Sequence, residues 1–388
     1  MKKVISTETK PIKMWLEELE DNALAQAKNL ANLPFTYSHV PIMPDSHAGY
    51  GMPIGSVLAT KSVVVPNAVG VDIGCGMCAM PTELNADDIG SGELKAILSE
   101  ARKLIPLGFN WHDEMQDETL MPEGYEQLEI VSRGYIKARK QIGTLGGGNH
   151  FIEIQKGDDG KIWVMIHSGS RNLGHSVASH YNQMAKVLNE RYFSSVAAGF
   201  DLAFLPIETP EAKAYLKEMN YCIEFALANR KLMMTRTLEA MKSVIGEFPT
   251  GEIINKSHNF AAWENHFGSN VLVHRKGATQ ARLNELGMIP GSQGSNSYIV
   301  RGLGNADSFE SCSHGAGRKL GRKQAQRELN LETERKVLDE KGVIHSVRNN
   351  RDLDEAPGAY KDIDEVMANQ TDLAEIVVKL EPLAVLKG

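Results

Sequence analysis

The sequence predicts a mixed α/β chain of the α+β kind, with β-sheets flanked by helices and the chemistry gathered at strand ends and glycine-rich loops. Three observations carry this. The N-terminal part alternates glycine-rich turns with β-branched runs at residues 54–57 and 62–65, the pattern of short buried strands joined by tight turns. From about residue 179 to 245 the pattern becomes helical: Tyr215, Met219, Cys222, Ile223, Ala226 and Leu227 recur at three- and four-residue spacing, a core-facing stripe. From Glu252 onward the glycine-rich texture returns.

Two further helices are expected, a strongly charged one over residues 317–331 and a last amphipathic one over residues 364–380. No repeat, low-complexity linker or composition break divides the chain, so residues 1–388 read as a single domain. With 42% hydrophobic and 23% charged residues it falls in the ordinary globular range. A net charge of −7 excludes a protein that coats nucleic acid by bulk electrostatics, so any RNA site must be a local basic patch. No eighteen-residue uncharged apolar run occurs, since Lys61 interrupts the best candidate, and no membrane role is expected. Four cysteines in so long a chain do not suggest a disulfide framework, and a reducing cytoplasm fits them.

The turn Gly70-Val71-Asp72-Ile73-Gly74-Cys75-Gly76 sets a carboxylate and a thiol three residues apart among glycines that permit a tight backbone, an anionic half-site for a metal. A buried structural cysteine is the plainer alternative. Cys75 and Cys78 also spell C-x-x-C, but no second such pair completes a zinc knuckle. His150 follows Gly146-Gly147-Gly148-Asn149, and His167 closes the apolar run Val164-Met165-Ile166; both are placed as at strand ends, and His258 follows Lys256-Ser257. With Asp72 and Cys75 these histidines give five donors, enough for two adjacent ions. His112, His180, His266 and His345 are assigned no role, and His39, His47, His175 and His274 are read as structural unless they contact RNA.

The sharpest feature is Ser313-His314-Gly315-Ala316-Gly317-Arg318, followed by Lys319, Arg322, Lys323 and Arg327. A small-residue loop opening a helix can cradle phosphate on its backbone N–H groups, and a histidine at its mouth would face that phosphate. Arg318 and Arg322, four apart, would share a helix face. Pro290-Gly291-Ser292-Gln293-Gly294-Ser295-Asn296-Ser297 is a second small-residue loop of weaker specificity. The residues alone leave open a metal-dependent RNA phosphohydrolase or phosphodiesterase, and a non-catalytic RNA-binding protein with a structural metal.

Taken jointly, Asp45 and His47 in Pro-Asp-Ser-His-Ala-Gly, the Asp72 to Cys75 turn, Asn149-His150-Phe151, His167-Ser-Gly-Ser-Arg171, His258-Asn259, Pro-Gly-Ser292 and the His314 loop resemble the RtcB-type RNA-splicing ligases. Ala359-Tyr360-Lys361-Asp362-Ile363-Asp364 and the closing Leu386-Lys387-Gly388 extend the resemblance over nearly the whole chain. It implies an RtcB-like fold and GTP- and Mn(II)-dependent joining of RNA 3'-phosphate or 2',3'-cyclic phosphate ends to 5'-hydroxyl ends. It makes RNA and GTP the partners, with room for an activating protein. By the same resemblance Asp72, Cys75, His150, His167 and His258 would hold two Mn(II) ions. Asn149, His150, Phe151, Ile152, Glu153, His258, Asn259, Pro290, Gly291, Ser292, Gln293, Ser297, His314, Gly315, Ala316, Gly317 and Lys387 would line the guanylate site. His314 would be the nucleophile, Arg318 would offset phosphate charge, and Asp45 is expected to orient His314 through its second nitrogen. Ligand softness alone points to zinc or iron, so manganese comes from the resemblance.

Overall fold

The computed structural model describes residues 1–388. Two sheets dominate. The first has six strands in the order Lys3–Ile5, Ile12–Met14, Val40–His47, Ile54–Thr60, Ser269–Lys276 and Asn259–His266. The second has seven, in the order Ile254–Ser257, Gly76–Asn85, Lys161–Ser168, Phe151–Gly157, Ala374–Lys387, Ser297–Gly302 and Leu286–Ile289. The mixed α/β expectation holds, and the strand at Ile54–Thr60 contains the predicted run at 54–57. Of the predicted run at 62–65 only Val63–Val64 is strand, paired with Leu205–Pro206.

Register brings the chemistry to one end of both sheets. In the second sheet Gly76 pairs with Ser168 and Ser257, His167 pairs with Met77 and Phe151, and Phe151 pairs with Lys387. Strand beginnings at Gly76 and Phe151 therefore meet strand endings at Ser168, Ser257 and Lys387. In the first sheet Asn259 pairs with Lys276, Lys276 with Ser56, and His47 with Ile54, so the corresponding end faces the same place. His258 is the single residue between Ser257 in one sheet and Asn259 in the other. A short ladder then sets Ala278 opposite Ser313, which brings His314 beside this junction.

The helical middle is two helices, Arg171–Arg191 and Pro210–Ile245, rather than one continuous stretch. The first stops at Arg191, two residues before Phe193 takes φ 51°, and the second starts with Pro210 at its first position and the Thr209 hydroxyl accepting from Ala212 N (3.3 Å). Of the predicted stripe, Tyr215, Met219, Cys222 and Ala226 are buried, while Ile223 and Leu227 are partly so. Two expected helices are corrected. Of residues 317–331 only Arg322–Glu328, and Leu331 as the first residue of a separate helix Leu331–Glu340, are helical; Gly317 sits at φ 74° and Arg318 forms a bridge to Tyr360. Residues 364–380 split into a short helix, Ile363–Ala368, and the beginning of the strand Ala374–Lys387, whose Ile376-Val377-Val378 run is β-branched and whose backbone bonds go to two neighbouring strands. No helix is long and apolar enough to cross a membrane.

Candidate active site

The Asp72 turn is held from three directions. Gly74, at φ 75°, donates its N–H to Asn259 O (2.8 Å), and His258 N donates to Cys75 O (2.8 Å). Beneath them the buried Arg230, on the long Pro210–Ile245 helix, donates to the carbonyls of Gly74 (2.8 Å) and Ser168 (2.9 Å) and to Asn255 Oδ1 (2.8 Å). One guanidinium thus fixes the starts and ends of the strands that carry the donors. Gly76 is required for close approach, since a Cβ there would run into Lys256 O and the Ser257 backbone.

The five predicted donors converge. Asp72, Cys75 and His150 form one triad and Cys75, His167 and His258 another, the ligand atoms of each within 4.8 Å of one another and Cys75 common to both. His150 Nδ1 donates to Leu145 O (3.1 Å) and His167 Nδ1 donates to Asn149 O (3.0 Å), which fixes the proton on Nδ1 in each ring. Their Nε2 atoms then turn towards the other donors. His150 Nε2 lies 3.2 Å from Asp72 Oδ2, and His167 Nε2 lies 3.4 Å from His258 Nε2 and 3.3 Å from Cys75 Sγ. Lone pairs so arranged repel unless cations lie among them, and the donor set fits divalent metal ions. Burial holds His167 and His258 well below the ordinary imidazole pKa, so both are neutral donors. Burial and the neighbouring Asp72 push the Cys75 thiol up; its proton must leave for a metal to bind.

His314 stands next to this cluster, its ring centroid 4.8 Å from that of His258. Its Nδ1 donates to Asp45 Oδ2 (2.6 Å), and its backbone N donates to the same oxygen (3.0 Å). Asp45 is fully buried at the end of the Val40–His47 strand; burial alone would raise its pKa, but the His314 ring against it holds it down. Asp45 Oδ1 has no partner. Lys361 anchors that strand by donating from Nζ to Ser46 O (2.6 Å). The His314 Nε2 edge is therefore left to face the cleft.

The cleft above has a volume of about 210 Å³ and opens to solvent. Among the predicted residues it is lined by Asn149, Phe151, Glu153, His167, Pro290, Gly291, Ser292, Gln293, His314, Gly315, Ala316, Gly317, Arg318 and Lys387. Other predicted residues lie outside it. His150 and His258 belong to the donor cluster, and Ile152 is buried in the apolar core. Asn259 donates from Nδ2 to Asp72 O (3.0 Å) and accepts from Gly277 N (2.8 Å), while Ser297 Oγ accepts from Gly291 N (3.2 Å).

Arg318 is not on a helix, so it shares no helix face with Arg322, yet the two meet on one carboxylate. Glu355 Oε1 takes Arg322 (2.7 Å) and Arg318 (3.2 Å), and its Oε2 takes Lys387 Nζ (2.7 Å) and the Tyr360 hydroxyl (2.5 Å). Burial would raise Glu355, but Lys387 and Arg322 pull it down to about 2. Sequence reasoning missed Glu355, Arg230, Ile54, Val385 and Tyr360 as parts of the site, and read His47, which lines the cleft, as structural. No local signal marks Glu355 or Arg230, whereas His47, two residues from Asp45, could have been found from that motif. His274 and His39 are satisfied structural histidines, and Cys78 donates to Arg230 O (3.7 Å), away from the donor triads.

The donor cluster, the carboxylate-held histidine and the polar cleft thus adjoin one another at the shared end of both sheets. Its sequence matches the family described as tRNA-splicing ligase RtcB over residues 26–135 and 114–388, and the chain belongs to the RtcB family of RNA-splicing ligases. The RNA-splicing ligase RtcB of Escherichia coli K12 is 36% identical over 411 residues, covering 99% of each chain. The tRNA-splicing ligases RtcB of Nanoarchaeum equitans and Thermococcus kodakarensis are 32% and 31% identical, each alignment covering 95% of this chain and 92% of theirs.

Proposed function

We propose that this protein is a GTP- and Mn(II)-dependent RNA ligase that joins an RNA 3'-phosphate or 2',3'-cyclic phosphate end to a 5'-hydroxyl end, in RNA repair or tRNA splicing. The single observation that carries the reading is His314, its Nδ1–H given to Asp45 and its ring against His258 of the donor cluster. With the proton held on Nδ1, Nε2 has a free lone pair and can attack the α-phosphorus of GTP, forming the N–P bond as pyrophosphate leaves. Asp45 stabilises the positive charge that grows on the ring. Arg318 and Arg322, at the cleft wall, offset charge on the phosphates. The RNA 3'-phosphate then takes the guanylyl group from His314, and the 5'-hydroxyl displaces GMP to close the phosphodiester. A cyclic phosphate is opened by hydrolysis first. Two Mn(II) ions held by Asp72, Cys75, His150, His167 and His258 would supply charge neutralisation and orientation of phosphate oxygens.

Guanine is favoured over adenine by the cleft's polar groups. The Glu153 carboxylate can accept from guanine N1–H and N2–H, and the Lys387 ammonium, near enough to lower the Glu153 pKa, can donate to O6. Adenine presents the inverse pattern there. The site draws on residues from Asp45 to Lys387, which supports one catalytic unit over residues 1–388. Four free, buried cysteines fit a reducing cytoplasm.

The test has two arms. Labelled GTP should leave an acid-labile label on the wild-type chain and none on His314→Ala. A 3'-phosphate RNA and a 5'-hydroxyl RNA should join when GTP is present, with each divalent metal tried in turn. Absence of both label and product under every metal overturns the reading; end hydrolysis without label assigns the site to a phosphodiesterase.

A further inference from the structure

Close to the cleft, the segment that follows Gly108 carries two aromatic side chains that the reaction above does not use. Phe109 is 98% exposed and Trp111 40% exposed. Scattered exposed apolar residues are ordinary; what sets these apart is that the backbone holding them is pinned on both sides. Arg171 donates from Nη2 to Gly108 O (2.9 Å) and from Nε to Thr144 Oγ1 (3.1 Å). Asn110 N donates to Leu107 O (3.1 Å), and His112 N donates to Lys140 O (3.0 Å). Arg236 Nη1 adds a bond to His112 Nε2 (2.8 Å). The backbone around Phe109 is thus tied down, and its ring stands in water.

That segment abuts the site. A Cβ on Gly108 would come 3.4 Å from the carbonyl carbon of Gly388, the residue after Lys387. A Cβ on Gly147 would come 3.9 Å from Gly108 Cα, and Gly147 belongs to the loop that delivers Asn149 and His150. Cations flank it. Arg322 Nη2 would be 3.2 Å from a Cβ on Gly148, and the half-buried Lys140 reaches Asp113 O from Nζ (2.7 Å).

We propose that Phe109, with Trp111 two residues on, is a base-stacking subsite for a single-stranded nucleotide of the RNA whose end enters the cleft. The proposal rests on the RNA-ligase reading above. Single-stranded RNA is the occupant because an exposed π-face on a segment flanked by arginine and lysine suits its alternation of base and phosphate, and because that segment packs on the Gly388 and Gly147 backbone next to the cleft. Stacking on Phe109 accepts any base, which gives affinity without sequence preference.

The test measures binding of a fluorescent single-stranded 3'-phosphate RNA to the full chain, with GTP labelling of the protein, a step free of RNA, as the control. Phe109→Ala should raise Kd roughly tenfold, the loss of one base–aromatic stack, with GTP labelling at the wild-type rate. Phe109→Trp should restore binding, and Phe109→Leu, apolar but without a π-face, should not. A Kd for Phe109→Ala within twofold of wild type overturns the subsite and leaves Phe109 to a protein partner. Equal losses of RNA binding and GTP labelling overturn it as well, since Phe109 is then structural. If the wild-type chain takes GTP label but binds no RNA, the subsite fails alone; if it does neither, the ligase reading fails with it.

Discussion

Replacing Asp45 by Asn tests the histidine mechanism at its narrowest point. Asp45 Oδ2 accepts two bonds, from His314 Nδ1 at 2.6 Å and from His314 N at 3.0 Å. An Asn with its carbonyl oxygen in that position still accepts both, so the ring keeps its orientation and its Nδ1–H tautomer. What disappears is the negative charge opposite a ring that becomes cationic as Nε2 bonds phosphorus. Asp45 is fully buried and its other oxygen has no partner, so no solvent or neighbouring donor screens the loss. A charge-assisted hydrogen bond contributes about 1.5–3 kcal/mol against roughly half that for a neutral one. The difference, on the order of 1–2 kcal/mol, sets a floor of roughly 5- to 30-fold on the slowing, and the larger cation stabilisation of a dry site raises it towards 10³-fold. The assay is the pre-steady-state rate at which labelled GTP is captured on His314, with metal content and melting temperature measured alongside. Asp45→Asn should fold, keep its metals and label slowly; Asp45→Ala, which strands two donors, should be slower still and less stable. Labelling of Asp45→Asn within threefold of wild type refutes the role given to this carboxylate.

Three further outcomes follow from the same geometry. Cys75 belongs to both donor triads, so Cys75→Ser should cut bound metal from two ions per chain to less than one, read by elemental analysis after dialysis; retention of both ions sinks the shared-ligand reading. Burial raises Glu153 to about 8, so the free site is mostly protonated at pH 7, and a guanine that needs the carboxylate must expel that proton. GMP affinity should therefore rise with pH up to about 8 and then level, with nearly one proton released at pH 7 by calorimetry in two buffers, and Glu153→Gln should bind weakly without pH dependence. Glu355 is held at about 2 in the folded chain against 4.5 for the free group. A carboxylate with a depressed folded pKa stabilises above its unfolded value and loses that contribution as pH falls from about 4.5 towards 2, here on the order of 3 kcal/mol. Chemical denaturation should show this acid loss in wild type and its absence in Glu355→Gln, which is already less stable at pH 7; parallel pH profiles count against it.

Residues whose type is rare and whose neighbours are glycines could be read from the chain alone, because chemistry and backbone freedom coincide there. Asp72, Cys75, His150 and His167 sit in or near such places, whereas His258, with no glycine near it, rested on the resemblance; the antiparallel registers carry all five to one sheet end. The Asp45–His314 pair, 269 positions apart, came instead from the resemblance and from the need of a histidine nucleophile for a carboxylate on its second nitrogen. Glu355 was not, since an acidic residue in a charged stretch looks solvated until Arg318, Arg322, Lys387 and Tyr360 arrive from elsewhere. Arg230 was hidden likewise: in sequence it is a helix cation, and only the packing of the long helix under Gly74 and Ser168 makes it the clamp of the donor turn. The helix errors have a separate cause. Apolar spacing in residues 364–380 cannot tell a helix from a strand bonded on both edges, and the charge run after His314 says nothing of the positive φ at Gly317. That φ matters chemically. A Cβ at Gly317 would run into the Asp45 backbone, so the loop passes close over the carboxylate only because this position is glycine. The phosphate cradle inferred from a helix start is in fact a loop folded onto Asp45, and the proximity that aligns His314 is set by backbone contact before any side chain acts.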